Sequence, residues 1–263
     1  MITLIFLGDV VGEPGRLALY RAIPDLQQEF SPQAIIVNGE NAAHGRGLTP
    51  ALAKEMLQHG VDVITQGDHV WDSQDMVDKI DTMPRVLRPL NFQANTPGAG
   101  SVVLETAQGK IGIICLIGRT FMRLQADNPF LTVQEELGRL RENGCNTILI
   151  DIHGEATSEK IAMALHTDGK ATAVVGTHTH VQTADARILP GGTAAITDVG
   201  MCGSRDGVIG RDAADVLHAN LTALPCKLNI GGWPARVSGV VITADETTGR
   251  ALSIHPINRD YDR

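Results

Sequence analysis

Two histidines one residue apart are the clearest candidates for chemistry in this chain. His178 and His180 lie in the segment GTHTHVQTAD, directly after the apolar run ATAVV. In a His-x-His pair after a buried strand, alternation directs both imidazole rings to the same face. Two rings on one face can bind a metal ion, so the pair predicts a metal site. The alternative is the polar end of a strand.

The same arrangement recurs at several other apolar runs. Each run ends in a residue with a carboxylate, amide or imidazole side chain, and glycine lies beside nearly all of them. These residues are Asp9, Glu40, Asn41, Asp68, His69, His153, His178 and His180. Ligands of open α/β sheets bind outside the carboxyl ends of the strands. We therefore expect these side chains to meet in one cleft.

The donor types in this set indicate which metals the cleft would hold. Carboxylate, amide and imidazole donors without thiolate favour manganese, iron, zinc or similar ions. The set is larger than one tetrahedral zinc needs. It fits two ions about 3.5–4 Å apart, the spacing of two-metal phosphoesterases. Such a pair can generate a bridging hydroxide and stabilise charge on phosphate oxygens.

The elements that must position these residues alternate along the chain. Apolar, β-branched runs such as ITLIFLGD and AIIVNGEN are separated by helical patterns, which predicts βαβ units with parallel strands. The close strand pairs SVVLET with KIGIICLIG and RVSGVVITAD with ALSIHPI predict antiparallel additions. Thr49 is the predicted cap of a helix with Pro50 at its first position. Thr157 or Ser158 is the predicted cap of a later helix.

Composition disfavours two classes of partner. A formal net charge of −8 and an aromatic content of 3% argue against a stable nucleic-acid complex held by phosphate contacts or base stacking. No apolar stretch approaches the roughly 20 residues of a membrane span, and the first apolar run ends at Asp9 with no basic segment before it. We expect a cytoplasmic protein without a membrane partner. Without a linker or repeat, one domain over residues 1–263 is predicted.

Five segments, in a fixed order, carry a resemblance to a known family. GDVVG, NGENAA, GDHVWD, DIHGEATSEK and GTHTHVQTAD resemble motifs of the calcineurin-like metallophosphoesterase superfamily. They are most similar to its YmdB-type branch of 2′,3′-cyclic-nucleotide phosphodiesterases. The resemblance runs from the first strand to about Gly210. It implies an α/β fold with two mixed β-sheets packed face to face and helices on the outer faces, an αββα sandwich.

The resemblance also implies roles for the residues at the strand ends. The ligands of one metal would be Asp9, Glu40, Asn41 and His180. Those of the second would be Asp68, His153 and His178, with Glu40 as the bridge. Two positions depart from the superfamily pattern. Asp9 lacks the histidine of the usual Asp-x-His motif, which Asn41 would replace, and Asp68 stands where asparagine is common.

The donor chemistry and the resemblance together predict a dinuclear-metal-dependent phosphodiesterase with a small-molecule substrate, foremost 2′,3′-cyclic nucleotides. The two divalent ions would be iron and/or manganese, with zinc as the alternative. A metal-bridging hydroxide would attack phosphorus, and His69 would be the general acid. His44 and Arg46, in the glycine-rich segment AAHGRGLT, are candidate substrate-binding residues, with a solvated turn as the alternative.

Several other interpretations remain open from the sequence. The same site could serve a phosphomonoesterase, or a non-catalytic regulator that binds a metal or a nucleotide. A metal amidohydrolase is disfavoured because its His-x-His motif lies on an early barrel strand. Asp198 is a weaker site candidate, with a structural strand-end role as the alternative. Because phosphoesterases of this kind often associate, a homo-oligomer is also expected.

Overall fold

The computed structural model describes residues 1–263, which form fourteen strands and six α-helices. The strands are β1 (Ile2–Leu7), β2 (Asp9–Val10), β3 (Ala34–Asn38), β4 (Val63–Thr65), β5 (Val86–Leu87), β6 (Ser101–Thr106), β7 (Gly109–Ile117), β8 (Cys145–His153), β9 (Ala173–Thr177), β10 (Arg187–Ile188), β11 (Ala194–Ile196), β12 (Met201–Ser204), β13 (Ala235–Ala244) and β14 (Ala251–Tyr261). The helices are α1 (Gly12–Phe30), α2 (Pro50–Gln58), α3 (Gln74–Lys79), α4 (Pro129–Glu142), α5 (Thr157–His166) and α6 (Ala213–Thr222), with a 3₁₀ helix at Ile80–Thr82.

The strands form two mixed sheets. The first has the order β2-β12-β13-β1-β3-β4-β5, with β14 also paired to β13, and its strands β1, β3, β4 and β5 are parallel. The second has the order β10-β11-β9-β8-β7-β6, and its strands β7, β8, β9 and β11 are parallel. The pairs β6–β7 and β13–β14 are antiparallel. The predicted parallel core with antiparallel additions is confirmed.

Side-chain alternation along the strands divides the core into three layers. Leu4 and Phe6 of β1 belong to an apolar layer that also contains Cys115 of β7, so this layer lies between the two sheets. Ile5 and Leu7 belong to the layer that joins the first sheet to α1, α2 and α3. The opposite face of the second sheet packs against α4 and α5. The αββα sandwich expected from the resemblance is therefore confirmed.

The helix caps test the local predictions. Thr49 Oγ1 accepts a hydrogen bond from the backbone N–H of Leu52 at 3.3 Å, and Pro50 begins α2. The prediction for α5 was wrong. Ala156 occupies the cap position in an extended conformation, and no side chain caps this helix. Thr157 is already helical, so neither it nor Ser158 occupies the position from which a side chain caps the first turn.

Two helices were not predicted. α3 is a short helix of six residues after the third parallel strand, and α6 buries none of its residues. Helices without a broad apolar face leave little periodic signal in a sequence. No helix of the structure combines the length and the apolar character needed to cross a membrane.

The layer between the sheets makes a prediction about stability. Phe6 is fully buried there, so Phe6→Ala should lower the unfolding free energy by about 3–5 kcal/mol through lost burial and a residual cavity. Leu221 of α6 is 83% exposed, and Leu221→Ala should change it by no more than about 0.5 kcal/mol. Urea unfolding of both variants checks this. Equal losses of unfolding free energy in the two variants would show that Phe6 does not contribute to a close-packed layer.

Candidate metal centre

The carboxyl ends of parallel strands from both sheets meet in one cleft. In the first sheet, the residues after β1, β3 and β4 are Asp9, Glu40, Asn41, Asp68 and His69. In the second, β8 ends at His153, and His178 and His180 follow β9. This arrangement agrees with the expectation from the sequence that these side chains lie in one cleft. Their roles as metal ligands stay predictions.

Four of these side chains form a tight cluster of possible ligands. Glu40, Asp68, His153 and His178 each offer one ligand atom, and these atoms lie within 4.8 Å of one another. His153 Nε2 lies 3.1 Å from Asp68 Oδ1 and 3.3 Å from Glu40 Oε1. It also lies 3.0 Å from His178 Nδ1. Donors from two sheets that face one another this closely are suited to a shared cation. The cluster contains every residue assigned to the second metal.

The residues assigned to the first metal lie beside this cluster. Asp9 is fully buried, and its Oδ1 has no hydrogen-bond partner. That oxygen lies 3.8 Å from His180 Nε2, and the side-chain amide of Asn41 lies 3.4 Å from the same nitrogen. Asn41 also donates to Glu40 Oε1 at 3.0 Å. A buried carboxylate oxygen without a partner is costly unless a cation compensates it, so these residues fit the predicted metal.

The pKa values of the cluster show how strongly it attracts positive charge. Burial alone would lower the pKa of His153, but the carboxylates of Glu40 and Asp68 raise it well above its usual value. Burial raises the pKa of Asp9. Burial would also raise the pKa values of Glu40 and Asp68. The charge and hydrogen bonds of His153, together with a hydrogen bond from His178 to Asp68, outweigh burial and lower both pKa values. Because His153 must lose its proton to bind a metal, metal binding should release protons.

Packing around His153 requires a glycine on the opposite sheet. A Cβ atom at Gly67 would lie 2.1 Å from Cδ2 of the imidazole ring. Only glycine therefore lets the chain after β4 pass the ring and carry Asp68 into the cluster. The glycine beside Asp68 was visible in the sequence, but the ring that it accommodates belongs to a distant segment of the chain.

His178 and His180 reach the cleft by a different route from the predicted one. Strand β9 ends at Thr177, and His178 and His180 have positive φ angles of 104° and 65°. The argument from strand alternation was therefore wrong for this pair, which lies in a turn. Non-glycine residues in this region cost of order 1–3 kcal/mol each and persist only where their surroundings hold them.

A buried hydrogen-bond chain orients His153 from behind. Its Nδ1 lies 2.9 Å from Thr177 Oγ1, and that hydroxyl donates to Asp151 Oδ1 at 2.8 Å. All three residues are fully buried. A proton on Nδ1 leaves the lone pair of Nε2 directed at the cluster, which is the usual arrangement for a metal-binding histidine. Sequence reasoning missed Asp151, although its position two residues before His153 on a strand places both on one face.

Two further residues at the cleft were also missed. Glu155 Oε2 lies 3.2 Å from His178 Nε2, the ring nitrogen that faces away from Asp68. Its place in the segment HGEATSEK was the available signal. Arg211 also lines the cleft, and its guanidinium donates to the carbonyl of Gly45 at 2.6 Å. The sequence carried no signal for Arg211.

His69 lines a cavity of about 380 Å³ beside the cluster. Its Nδ1 lies 2.8 Å from Asp72 Oδ2, and its backbone N–H donates to Glu40 Oε2 at 3.2 Å. Asp72 therefore fixes the ring and leaves Nε2 as the nitrogen that can act on a substrate. Arg46 donates to the same carboxylate of Asp72. No pattern in the sequence indicated this pairing.

His44 does not line the cavity beside the cluster. His44 lines a neighbouring cavity with Arg16 and Trp233. Arg46 is also absent from the wall of the cavity beside the cluster, although it shares the carboxylate of Asp72 with His69, which does line that cavity. The substrate-binding roles of His44 and Arg46 stay predictions. Asp198 lies behind the turn of His178 and His180, where its side chain is 1% exposed.

Comparisons with known proteins identify the family of the chain. The model of the YmdB-like protein family matches residues 5–257. The chain belongs to the YmdB-like family. A relative from Bacillus subtilis (strain 168), named 2′,3′-cyclic-nucleotide 2′-phosphodiesterase, is 45% identical over 254 residues, which are 97% of this chain and 96% of the relative. The resemblance to the YmdB-type branch is thereby confirmed.

Two solved structures share the YmdB-like fold over nearly their whole length. A hypothetical protein from Thermus thermophilus matches with a TM-score of 0.90 and 36% identity, and the match covers 98% of this chain and 99% of that one. A novel phosphatase from Mycoplasma pneumoniae matches with a TM-score of 0.91 and 33% identity, covering 99% and 94%. The sandwich is thus the common architecture of this YmdB-like chain and its relatives.

The hydrogen-bond chain behind His153 makes a prediction about metal affinity. Thr177→Val keeps the size of the side chain and removes the hydroxyl between His153 and Asp151. We expect Mn²⁺ affinity to fall by about 10–100-fold, because partners that orient a ligand contribute that much. Isothermal titration of the metal-free protein measures it. Thr147→Val is the matched control, since Thr147 is a buried threonine of β8, the strand of His153, and its hydroxyl has no partner. Equal affinities in the two variants would contradict the prediction.

Proposed function

We propose that this protein is a metal-dependent phosphodiesterase that hydrolyses 2′,3′-cyclic nucleotides. The observation that carries the proposal is the cluster of four ligand atoms within 4.8 Å, beside the unpartnered carboxylate oxygen of Asp9. The name of the Bacillus subtilis relative supports the substrate class. The family model includes every residue of the proposed centre, since it matches residues 5–257.

The proposed centre holds two divalent ions, iron and/or manganese, with zinc as the alternative. The proposed ligands of the first ion are Asp9, Glu40, Asn41 and His180, and those of the second are Glu40, Asp68, His153 and His178. Glu40 would be the residue shared by both ions, because its Oε1 lies 3.3 Å from His153 Nε2 and accepts from the side-chain amide of Asn41. A pair of divalent ions at such a site supplies activation of water and neutralisation of phosphate charge.

His69 is the proposed proton donor to the leaving oxygen. The carboxylate of Asp72 can only accept, so Nδ1 keeps its own proton. In the proposal His69 therefore acts as the imidazolium, which gives its second proton, on Nε2, to the leaving oxygen and becomes neutral. The backbone N–H of His69 donates to Glu40, which ties the position of the acid to a proposed metal ligand. A positioned general acid contributes about 10²–10⁴ to the rate.

The cavity beside the cluster supports a small substrate. Its volume of about 380 Å³ is that of a typical small-molecule site. Val11 and Ile209 supply its apolar lining, and Arg211 is the one guanidinium in its wall. In the proposal, Arg211 attracts the phosphate and the apolar side chains contact the nucleoside.

A phosphomonoesterase acting through the same residues is the second candidate, favoured by the description of the Mycoplasma pneumoniae structure as a phosphatase. Comparison of 2′,3′-cyclic AMP with 3′-AMP, under the same conditions with Mn²⁺-loaded protein, separates the two. Faster turnover of the cyclic diester supports the proposed function. Faster turnover of 3′-AMP supports the second candidate. Two bound ions with no turnover of either would support a regulator that binds metal without catalysis.

The assignment of His69 makes a prediction about catalysis. His69→Asn should lower kcat for 2′,3′-cyclic AMP by about 10²–10⁴, with two ions still bound, because the residue donates a proton without serving as a metal ligand. His255→Asn is the control, since His255 is exposed on β14. Steady-state kinetics and metal analysis of both variants check this. If His69→Asn retained the parental kcat, the proton would have to come from elsewhere.

A further inference from the structure

A buried ion pair lies directly behind the turn that carries His178 and His180. Lys160 Nζ lies 2.9 Å from Asp198 Oδ2, and each side chain is 1% exposed. Lys160 ends the segment HGEATSEK, of which the proposed mechanism uses only His153. Buried ion pairs are a weak source of stability, because desolvation offsets much of their attraction. The other contacts of the pair indicate a role beyond stability.

Both members of the pair hold the backbone on either side of His178. Lys160 Nζ donates to the carbonyl of Thr177 at 2.8 Å. Asp198 Oδ2 accepts from the backbone N–H of Thr179 at 3.0 Å. The pair thus fixes the peptide groups before and after His178, whose φ of 104° needs external support.

The second oxygen of Asp198 connects the turn to the first proposed metal ligand. Asp198 Oδ1 accepts from the backbone N–H of Gly200 at 2.9 Å, and the carbonyl of Gly200 accepts from the N–H of Asp9 at 3.2 Å. Asp9 Oδ2 in turn accepts from the N–H of His178 at 3.2 Å. The carboxylate of Asp198 therefore contacts the turn of His178 directly and is connected to Asp9 through Gly200.

The path of the lysine side chain depends on a glycine in β9. A Cβ atom at Gly176 would lie 2.7 Å from Lys160 Cδ and 1.8 Å from the carbonyl oxygen of Thr197. A side chain at this position would clash with the backbone of Thr197 and crowd the path of the lysine from α5 to the turn. Gly176, Lys160 and Asp198 come from three separate segments of the chain. The glycine leaves the space through which the lysine side chain reaches the aspartate.

We propose that the Lys160–Asp198 pair is the positioning element that holds the His178–Thr179–His180 turn in its metal-binding conformation. The link to metal binding rests on the proposed function. The stabilisation of the turn rests on the hydrogen bonds of Lys160 and Asp198 described above. The pair holds both histidines in their positive-φ conformations before any ion is bound, so that metal binding does not have to order the turn. Lys160 and Asp198 act through the histidines and do not touch the substrate.

The test compares two variants with a control. Asp198→Asn breaks the pair, and Lys160→Met with Asp198→Asn removes both charges, so no unpaired charge stays buried in the double variant. Asp168→Asn is the matched control, because Asp168 also accepts from two backbone N–H groups, those of Gly191 at 2.8 Å and Thr193 at 3.2 Å, near the other end of β9. We expect Mn²⁺ affinity to fall by about 10–100-fold in both pair variants and to stay parental in Asp168→Asn.

Amide hydrogen exchange in the metal-free protein provides a second measurement that does not depend on metal. The amides of Thr179 and Gly200 should exchange about tenfold faster or more in the double variant, because local opening of the turn becomes easier. They should exchange at the parental rate in the control. Parental Mn²⁺ affinity together with parental exchange in the double variant would overturn the inference. If the parent itself bound no metal, the proposed function would fall, and the exchange rates alone would decide whether the pair holds the turn.

Discussion

The hydrogen bond from Thr65 to Asp151, at 2.6 Å, joins the two sheets directly below the cluster. Most of the layer between the sheets consists of apolar side chains, and apolar contact is non-directional. A directional bond between β4 and β8 is therefore well suited to fix how the sheets sit on one another. Asn38 of β3 adds a longer contact to the same carboxylate, at 3.4 Å. The cluster depends on this alignment, because Glu40 and Asp68 come from one sheet and His153 and His178 from the other.

The centre concentrates features that oppose folding. It contains fully buried charges, an unpartnered carboxylate oxygen and two histidines with positive φ. Each is costly on its own, and the three close-packed layers around the sheets must compensate them. A bound cation would relieve the first two features together, so metal binding at this centre would also stabilise the fold. Strain confined to a site in a well-packed scaffold is typical of functional centres.

The parts of the fold that depend on local pattern could be predicted from the sequence. Runs such as ITLIFLGD end in a polar residue because their strands end there, and parallel pairing brings those ends together. The pairing of residues to particular ions rested on resemblance alone. Asp151 and Arg211 acquire their roles through contacts with distant segments, which periodicity does not reveal. Strand alternation did not describe the turn of His178 and His180. The conformation of this turn is imposed by contacts with Asp9, Lys160 and Asp198, and not by local preference.

The order of the strands in the first sheet has a consequence for the growing polypeptide. The whole second sheet, within residues 101–196, is one continuous stretch between two parts of the first sheet. β1 has its partner β13 only after that stretch is complete, and Asp9 is paired with Met201 of β12. A nascent chain therefore carries Asp9 and Glu40 through most of translation without the strands that enclose them. The first candidate ligand to be synthesised is among the last to be fixed in place.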